Sequence, residues 1–521
     1  MKRFFVMAAV SAMLVVSCGK DEITEVDVAD SSVSGGSTIG SYDDFTADRV
    51  VSIVYADGSA TVSGAGSGQT VSRSGAGVTI TNSGTEKVRY EVSGASSDGW
   101  LKIYSSAHQA LVLDGLTLTN STGAAINLQG ASETHTTGKT TFVVLQRASS
   151  IADGSSYTAT PSDEDEKAAL FAEGSIVVCG SGSLTVNAKG KSGIASDDEI
   201  EIQSGSVTVN STAATKATSG DTLKVSGVKA QDGFIMTGGT LTVTCSGTGA
   251  KGISGDGTAV FNGGSVTVTV TGSNFGSSSS GGWGGGGGHG PGGGGHSSSD
   301  NSVGAKAIKF DGAITFNGGT VVATAQKHEA IEGKSTMTIN GGEVYGYSAS
   351  DDGINCASTL TVNNGYVCAI SAGNDGMDAN GNLYIKGGFV LCAGARSPEV
   401  GVDANTEGGY KLYVEGGTLV SMGGIENNSQ LTQSCWRTSS WSKNTWYSIT
   451  VGSTTHAFKT PSTSGSGMVV SGASEPTLKS GVSASGGTER LNGTVLESPE
   501  VSGGSSVSLS SYSGGGGGWG W

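Results

Sequence analysis

A glycine turn that recurs about every 23 residues constrains the fold of this chain more than any other feature of its sequence. Each turn precedes a short run rich in β-branched residues, such as SLTV or TVVA, and no sustained helical periodicity separates the runs. Units this short cannot bury a hydrophobic face alone, so neighbouring units must pair with one another. The recurring positions are Gly182 and Gly205 and, further along the chain, Gly319, Gly342, Gly365 and Gly388.

A coil of strands that climbs one strand spacing per turn explains this period. Parallel strands otherwise need a crossover of about a dozen residues, and a β-propeller blade needs about 40 residues. We therefore predict an all-β protein built as a parallel β-helix, a solenoid whose last strand edge is covered by a small β-rich C-terminal cap. Two longer steps are explained by insertions, one at residues 212–220 and one in a Gly/Ser-rich tract at 273–302.

Acidic side chains recur with the same period, on either side of a small-aliphatic pair such as Ala330-Ile331. In a β-helix, residues one coil apart stack about 4.8 Å from each other. The spacing therefore predicts two columns of side chains. The first contains Lys306, Glu329, Asp352 and Asp375, and the second contains Lys309, Glu332, Asn355, Asp378 and Asp403.

Stacked carboxylates of this kind need a neutralising partner, because like charges so close repel by about 1 kcal/mol per pair even in water. Calcium suits them, since it takes about six to eight hard oxygen ligands in loose geometry. We therefore predict bound Ca²⁺ in this segment. The alternative is a solvated acidic face with Lys306 and Lys334 as counter-ions. The predicted metal ligands are Glu329, Glu332, Asp351, Asp352, Asp375, Asp378 and Asp403.

The overall composition excludes several other classes of protein. A net charge of −16 argues against a nucleic-acid partner, because phosphate binding needs basic surface. A charged fraction of only 14% argues against disorder caused by high charge density. Apart from Cys18, the six cysteines form no CxxC motif and no zinc-ligand spacing, and are interpreted as small buried side chains. We expect a monomer.

The N-terminus is typical of a secreted lipoprotein. A basic start, Lys2-Arg3, precedes an apolar run that is shorter than the roughly 20 residues of a spanning helix. The run ends in VVSC, which resembles a bacterial lipobox with Cys18 as the acylated residue. The following GKDE resembles the export signal of surface lipoproteins in Bacteroidetes. These features predict a lipid-anchored protein of the outer membrane, exposed at the cell surface.

Longer segments resemble a known family. The stretches at 110–128 and 162–202, with the motifs EAIEG, SDDGIN and NDGMDANG, are similar to carbohydrate-binding β-helix proteins that are polysaccharide-lyase-like. The likeness covers roughly residues 75–425. It implies a right-handed parallel β-helix, bound calcium, and affinity for acidic plant polysaccharides such as polygalacturonate, or for cellulose. It does not imply lyase activity. On three coils the family's usual acidic position is occupied by Ser192, Lys251 and Lys306, so calcium is not expected there.

Two alternatives to a non-catalytic, calcium-dependent binder remain open. A polysaccharide lyase acting on uronates needs a base within reach of the site, and Arg396 is the best candidate, unless it pairs with Glu399 or Asp403. A surface adhesin or scaffold is the second alternative, because the Gly-rich segments at 281–296 and 514–521 are typical of spacers.

Three tryptophans in the C-terminal region, evenly spaced along the chain, have two interpretations. Aromatic rings stack on sugars, so Trp436, Trp441 and Trp446 are ligand-binding candidates together with Arg396, or else they pack as part of the cap. The predicted organisation is a signal peptide at 1–17, an anchored linker at 18–45, the β-helix at 46–425, and the cap with a Gly/Trp tail at 426–521.

Overall fold

The computed structural model describes residues 39–130, 139–158, 164–218, 221–276, 303–462 and 467–514. In these residues the chain forms 48 strands and one short 3₁₀ helix, Tyr42–Asp44, so the all-β prediction is confirmed. No helix in this part of the chain has the length and apolarity needed to cross a bilayer. Cys18, most of the Gly/Ser-rich tract and residues 515–521 of the Gly/Trp tail lie outside the described residues.

A twelve-stranded sheet carries the predicted acidic columns. Its first two strands are antiparallel, and every later strand pairs in parallel with the one before it. The strands, in order, are Gln69–Ser74, Gly77–Asn82, Leu101–Ser105, Ile126–Gln129, Ala168–Ala172, Ser192–Ser196, Ser226–Ala230, Lys251–Gly255, Ile308–Phe310, Ile331–Gly333, Ile354–Cys356 and Met377–Ala379.

A sheet of 28 strands contains two further parallel ladders, which share the long strand Gln109–Thr119. The first ladder consists of Arg49–Ala56, Val88–Ser96, Gln109–Thr119, Thr140–Leu145, Ser175–Gly180, Glu199–Ile202, Gly233–Met236, Thr258–Phe261, Ile314–Phe316, Met337–Ile339, Leu360–Val362, Leu383–Ile385, Leu412–Val414 and Gln430–Leu431. The second consists of Gln109–Thr119, Ser149–Ala152, Ser183–Ala188, Ser206–Ser211, Thr240–Cys245, Ser265–Val270, Thr320–Ala325, Glu343–Ser348, Tyr366–Ser371, Phe389–Ala393 and Thr418–Met422. Ser59–Ser63 adds an antiparallel strand beside Arg49–Ala56.

The chain adds one strand to each of the three ladders in turn, and each strand pairs with the equivalent strand of the next repeat. Glu343, for example, lies opposite Thr320 on one side and Tyr366 on the other, each exactly one repeat away in sequence. This pairing is compatible with a parallel β-helix. At the predicted insertion, residues 212–220, Lys216–Ala217 pairs antiparallel with Thr222–Leu223.

Glycine and asparagine maintain the turns between the two ladders of the large sheet. Gly342 has φ of 78°, a left-handed conformation that favours glycine, and a Cβ there would lie 2.7 Å from the backbone of Gly318. At the same turns, Asn317, Asn340 and Asn363 each donate a side-chain hydrogen bond of 2.8 Å to the asparagine one coil earlier. The period of the repeat is thus stabilised by contacts between identical positions.

Alternate residues of the strands fill the interior. Val, Ile, Leu and Phe of all three ladders form one continuous buried cluster. The phenyl rings of Phe261 and Phe316, on adjacent strands, stack with their centroids 4.8 Å apart. The cysteines also follow the sequence-based interpretation. Six free, buried thiols are found in the described residues, at Cys179, Cys245, Cys356, Cys368, Cys392 and Cys435.

The C-terminal region pairs with the last strand of the second ladder and also covers the outer side of that ladder. Met468–Ser471 pairs antiparallel with Thr418–Met422 and with Cys435–Thr438, and Ser510–Tyr512 follows Cys435–Thr438. A six-stranded antiparallel sheet packs on the outer side chains of the second ladder, such as Phe389 and Leu391. Its strands are Trp446–Val451, Thr454–Lys459, Thr477–Ser485, Thr488–Arg490, Val495–Glu497 and Glu500–Ser506.

Candidate cation-binding site

The predicted second column lies on the side of the twelve-stranded sheet that faces away from the core. Ile331, Ile354 and Met377 point inward and are fully buried, so the residue after each of them points to the opposite face. The register places these residues directly opposite one another from strand to strand. The column is Lys309, Glu332, Asn355 and Asp378.

The column continues past the last strand of the sheet. Val402 forms bridges with Met377 and Ile425, which aligns Asp403 and Glu426 with Asp378. The backbone N–H of Glu426 donates a 2.9 Å hydrogen bond to the carbonyl of Val402. Sequence reasoning missed Glu426, although Gly424-Ile425-Glu426 follows Gly401-Val402-Asp403 by one full repeat and carries the same small-aliphatic-acidic pattern.

The first column is also in register, and its carboxylates contact the coil that follows. The carbonyls of Asp352 and Asp375 accept backbone hydrogen bonds from Ala330 and Gly353. The side-chain Oδ1 of Asp352 accepts from the N–H of Asp375 at 3.0 Å, and Oδ1 of Asp375 accepts from the N–H of Val400 at 2.6 Å. Each aspartate therefore has one oxygen fixed by the backbone.

The earliest acidic residues of the two columns form a lysine-paired group, namely Glu329 and Glu332 with Lys306. The Lys306 ammonium lies 3.1 Å from Glu329 Oε2 and also forms an ion pair with Glu332, which contacts Lys334 as well. Although burial alone would raise the pKa of Glu332, these two lysines lower it below its ordinary value. These glutamates already have the counter-ions of the alternative interpretation.

His328 forms a second internal ion pair nearby. Its Nδ1 lies 2.8 Å from Asp351 Oδ2 and also contacts Glu329. Burial alone would lower the pKa of His328, but hydrogen bonds to Asp351 and Glu329 raise it to about 9. The ligand atoms of these three side chains lie close enough together to surround a metal ion, which would replace the imidazole proton. The role of Glu329 and Asp351 as metal ligands stays a prediction.

The remaining acidic residues form what we call the unpaired acidic cluster: Asp352, Asp375, Asp378, Asp403 and Glu426. In the part of the chain that the structure describes, no Lys, Arg or His lies within ion-pair distance of any of them. Asp352 and Asp375 are buried, and the other three are half-buried. This is the one segment of the columns for which the described chain supplies no positive charge.

The pKa values of the four aspartates in this cluster rise because the charged form is buried among other carboxylates. Burial, followed by the charges of Asp378, Asp351 and Asp375, raises the pKa of Asp352 to about 8. Burial likewise raises the pKa of Asp375 to about 7 and that of Asp378 to about 6. Burial and a hydrogen bond with Glu426 raise the pKa of Asp403 to about 10.

Neutral donors hold these carboxylates together without compensating their charge. The Asn355 side-chain amide donates to Asp352 Oδ2 at 3.0 Å and to Asp378 Oδ2 at 2.9 Å. The groups that could coordinate an ion here are therefore carboxylate and amide groups on successive coils. Such hard oxygen ligands fit a calcium ion, which tolerates irregular geometry and brings the missing positive charge.

Arg396, the candidate base, lies in the loop that borders this cluster. The adjacent Ala395 donates a backbone hydrogen bond to the carbonyl of Asn374 at 2.8 Å, which places the loop beside Asp375. Arg396 is exposed. Among the described residues it forms no ion pair, either with Glu399 or with Asp403.

The three C-terminal tryptophans lie in different elements. Trp436 belongs to Cys435–Thr438, and Trp446 begins a strand of the six-stranded sheet. Trp436 and Trp441 pack against the hydrophobic cluster beneath that sheet. Trp441 also lines a surface pocket with Arg437 and several serines. The packing of Trp436 and Trp441 agrees with the cap interpretation, and their role in sugar binding stays a prediction.

Comparison with known proteins adds a family. Residues 74–353, more than half of the chain, match the family model described as "Carbohydrate-binding domain-containing protein". Among solved structures, the polysaccharide lyase-like protein from C. thermocellum, in a gadolinium derivative, is 19% identical, with a TM-score of 0.36. The match covers 60% of this chain and 96% of that chain. No curated protein matches the sequence.

Proposed function

Because the chain belongs to the family of carbohydrate-binding domain-containing proteins, we propose that it is a calcium-dependent, non-catalytic polysaccharide-binding protein. Its ligands would be acidic plant glycans such as polygalacturonate, or cellulose. The observation that carries the calcium dependence is the unpaired acidic cluster, in which five carboxyl groups lie on successive coils without a cation from the described chain. A bound cation would keep its four aspartates ionised at neutral pH.

The residues of the cluster have distinct parts in this proposal. Asp378 and Asp403, which are half-buried, would face both the ion and the solvent. Asp352 and Asp375, which are buried, would bind the ion from the side away from solvent. Each has its Oδ1 fixed by a backbone N–H. When bound, calcium would link these carboxylates to a uronate carboxylate of the glycan.

In this proposal Glu329, Glu332 and Asp351 do not coordinate the ion of the unpaired acidic cluster but lie beside it. Their charges are already balanced by Lys306, Lys334 and His328. Without those cations they would add repulsion to the neighbouring cluster, since the charges of Asp351 and Glu329 already act on the pKa of Asp378.

Calcium titration of the purified chain, followed by glycan binding, tests this function. We expect tetragalacturonate binding, measured by calorimetry, in the presence of Ca²⁺ and its loss in EDTA. Asp378→Asn should abolish the calcium response. Glu407→Gln should not, because Glu407 is an exposed carboxylate outside the cluster. Equal binding in Ca²⁺ and EDTA would contradict the proposal, and failure to bind any glycan would favour the adhesin alternative.

A uronate lyase is the second candidate, and the position of Arg396 favours it. An exposed arginine without an ion pair in the described structure, in a loop beside the acidic cluster, is available to approach a bound uronate. Incubation with polygalacturonate and Ca²⁺ separates the two functions by ultraviolet absorbance. Unsaturated product that disappears in Arg396→Ala would convert the function to a lyase, and a flat trace supports the binder.

We also infer that the three ladders close into a right-handed coil and that the protein is a lipid-anchored monomer of the outer membrane. The regular visits to each ladder support the coil, and the lipobox-like VVSC supports the anchor. An experimental density map would test the handedness. Incorporation of labelled fatty acid, lost in Cys18→Ala, would test the anchor.

A further inference from the structure

The outer face of the second ladder carries a regular array of hydroxyl and amide side chains. Over five successive strands, from Ser183–Ala188 to Thr320–Ala325, every second residue, such as Val209 or Val243, points to the core and is buried. The residues between them point outward and are half-buried or exposed. They align in three columns, which we call the hydroxyl array: Ser183, Ser206, Thr240, Ser265 and Thr320; Thr185, Thr208, Thr242, Thr267 and Val322; Asn187, Asn210, Thr244, Thr269 and Thr324.

The hydroxyl array is regular in two directions. Each of the five strands pairs with the next over its full length, and no bulge shifts the register between them. Neighbouring residues of one column are therefore about 4.8 Å apart, and neighbouring columns are about 6.6 Å apart along the strand, twice the rise per residue. Threonine is the commonest residue of the array. Because it is branched at Cβ and restricted at χ1, it holds its hydroxyl and its methyl group in defined positions.

The array contains no charged side chain, although the chain has a net charge of −16. It ends at the next strand, where Glu343, Tyr345 and Tyr347 occupy the three columns and the two tyrosines pack against the cluster beneath the six-stranded sheet. An ionic partner, such as a uronate or a divalent cation, therefore finds no counter-charge on the array. A partner of this face should be uncharged.

The size of the array excludes a second copy of the chain as its sole partner. Its outermost residues span about 19 Å across the strands and about 13 Å along them. Stable protein interfaces bury about 800 Å² on each partner, which is several times the area of the array. The partner should instead be a surface on which a small, flat patch is enough because many identical groups bind at once.

Ice has the required chemistry. Its water molecules form flat, uncharged layers in which every molecule donates and accepts hydrogen bonds, as the Ser and Thr hydroxyls also do. The prism face of hexagonal ice repeats in two perpendicular directions at distances close to the two spacings of the array. Water that bridges neighbouring hydroxyls costs little to immobilise, and the threonine methyl groups separate these waters into a regular pattern.

We propose that the hydroxyl array binds ice, through a layer of water held in register with the crystal. The proposal goes beyond the proposed function and does not depend on it. The array belongs to the second ladder and contains no residue of the unpaired acidic cluster, which lies along the twelve-stranded sheet.

Ice growth in solutions of the full chain tests the array. We expect faceted crystals, a freezing point below the melting point of the ice, and enrichment of the chain in slowly grown ice. The double variant Thr242→Tyr/Thr267→Tyr places two large rings at the centre of the array and should abolish all three effects. The melting temperature of the protein should be unchanged, because both side chains point outward. The matched control is Thr338→Tyr, which changes an outward threonine of the first ladder that stands in a single column with Thr315 and Thr361.

Four results would overturn the proposal. The wild-type chain could leave ice crystals rounded and be excluded from the ice. Enrichment in ice could persist in the double variant, which would place ice binding elsewhere. An equal loss in Thr338→Tyr would show that the array is not required. Loss of binding to microcrystalline cellulose in the double variant, without any effect of the wild-type chain on ice, would assign the array to glycan. Tetragalacturonate binding in Ca²⁺ should be unchanged in the double variant, so failure of the ice proposal leaves the proposed function intact.

Discussion

Adjacent coils of the second column surround their outward-facing polar side chains with different partners. In the lysine-paired group, Glu332 is almost fully buried, and Lys306 and Lys334 balance its charge. One and two coils further, Asn355 and Asp378 occupy the same register position with only neutral donors around them. The fold is the same in both places. The difference is that lysines of the chain balance the carboxylate charge in the lysine-paired group, whereas no described cation does so in the unpaired acidic cluster.

The two groups should therefore respond oppositely to the same perturbations. Internal counter-ions make the lysine-paired group a structural element, sensitive to mutation and insensitive to added metal. The unpaired acidic cluster should be tolerant of neutralising mutations and sensitive to metal. Four measurements distinguish the groups, beginning with the largest expected effect.

Removal of the Lys306 charge should have the largest effect on stability. Lys306→Met leaves Glu329 and Glu332 buried without their shared cation. Breaking a buried ion pair in this way costs about 3–5 kcal/mol, and we expect that loss in chemical denaturation. The control is Lys479→Met, a lysine of the six-stranded sheet that is outside both groups. An unchanged midpoint for Lys306→Met would contradict the structural role of the pair.

Calcium should have the next largest effect, through the unpaired acidic cluster. A ligand present at 100 times its Kd stabilises a fold by about 2.7 kcal/mol. We expect a higher melting temperature in Ca²⁺ than in EDTA for the wild-type chain, and for Glu407→Gln. The shift should vanish in the double variant Asp375→Asn/Asp378→Asn. A shift that persists there would place the ion elsewhere.

The pH dependence in EDTA should have a defined sign. The pKa values of Asp352, Asp375 and Asp378 are raised from 3.8 to about 8, 7 and 6. The fold therefore keeps protons that the unfolded chain has lost. The stability this provides is complete below about pH 4 and is lost as pH rises from there through the folded pKa values of about 6, 7 and 8, at up to about 1.4 kcal/mol per pH unit for each group.

Glu332 should act in the opposite direction, because its lowered pKa contributes stability above its ordinary value that is lost in acid. Melting temperatures in EDTA should therefore fall between about pH 5 and 8, and saturating Ca²⁺ should remove most of that decline. A melting temperature that rises with pH in EDTA would contradict the assigned pKa shifts.

The smallest effect should come from a single neutralisation in the cluster. In EDTA at pH 8, Asp378→Asn removes one buried negative charge from among several, and we expect a gain of about 1 kcal/mol. The matched change in the lysine-paired group, Glu332→Gln, should destabilise instead, because it leaves Lys306 with a weaker set of partners. The same sign for both variants would remove the distinction between the groups.

The periodic part of this architecture was predictable from the sequence, because spacing alone determines register in a stack of equal coils. Glu332, Asn355 and Asp378 could be aligned from their equal separation along the chain. Glu426 can be aligned in the same way. Its motif begins with two glycines directly after the strand Thr418–Met422, and the sequence alone therefore assigns it to the start of the cap.

Side-chain pairing was not predictable in the same way. That Lys306 reaches Glu332 as well as Glu329 depends on side-chain direction within a coil, which spacing does not determine. The contacts of Lys102 and Tyr104 with Glu164 likewise involve a connection much later in the chain that follows no repeat. The packing of the C-terminal tryptophans depends on a cap that has no repeat to align.

The uniform strand spacing makes the protein a molecular ruler. Every coil along the twelve-stranded sheet adds one increment of about 4.8 Å, so the separation of two positions on its outer face is counted in coils rather than set by a flexible linker. Deleting one complete coil between Ser226–Ala230 and Ile308–Phe310 would shorten that separation by a single increment while preserving each end. Evolution or design can thus change the distance between two points on this face by changing only the number of repeats.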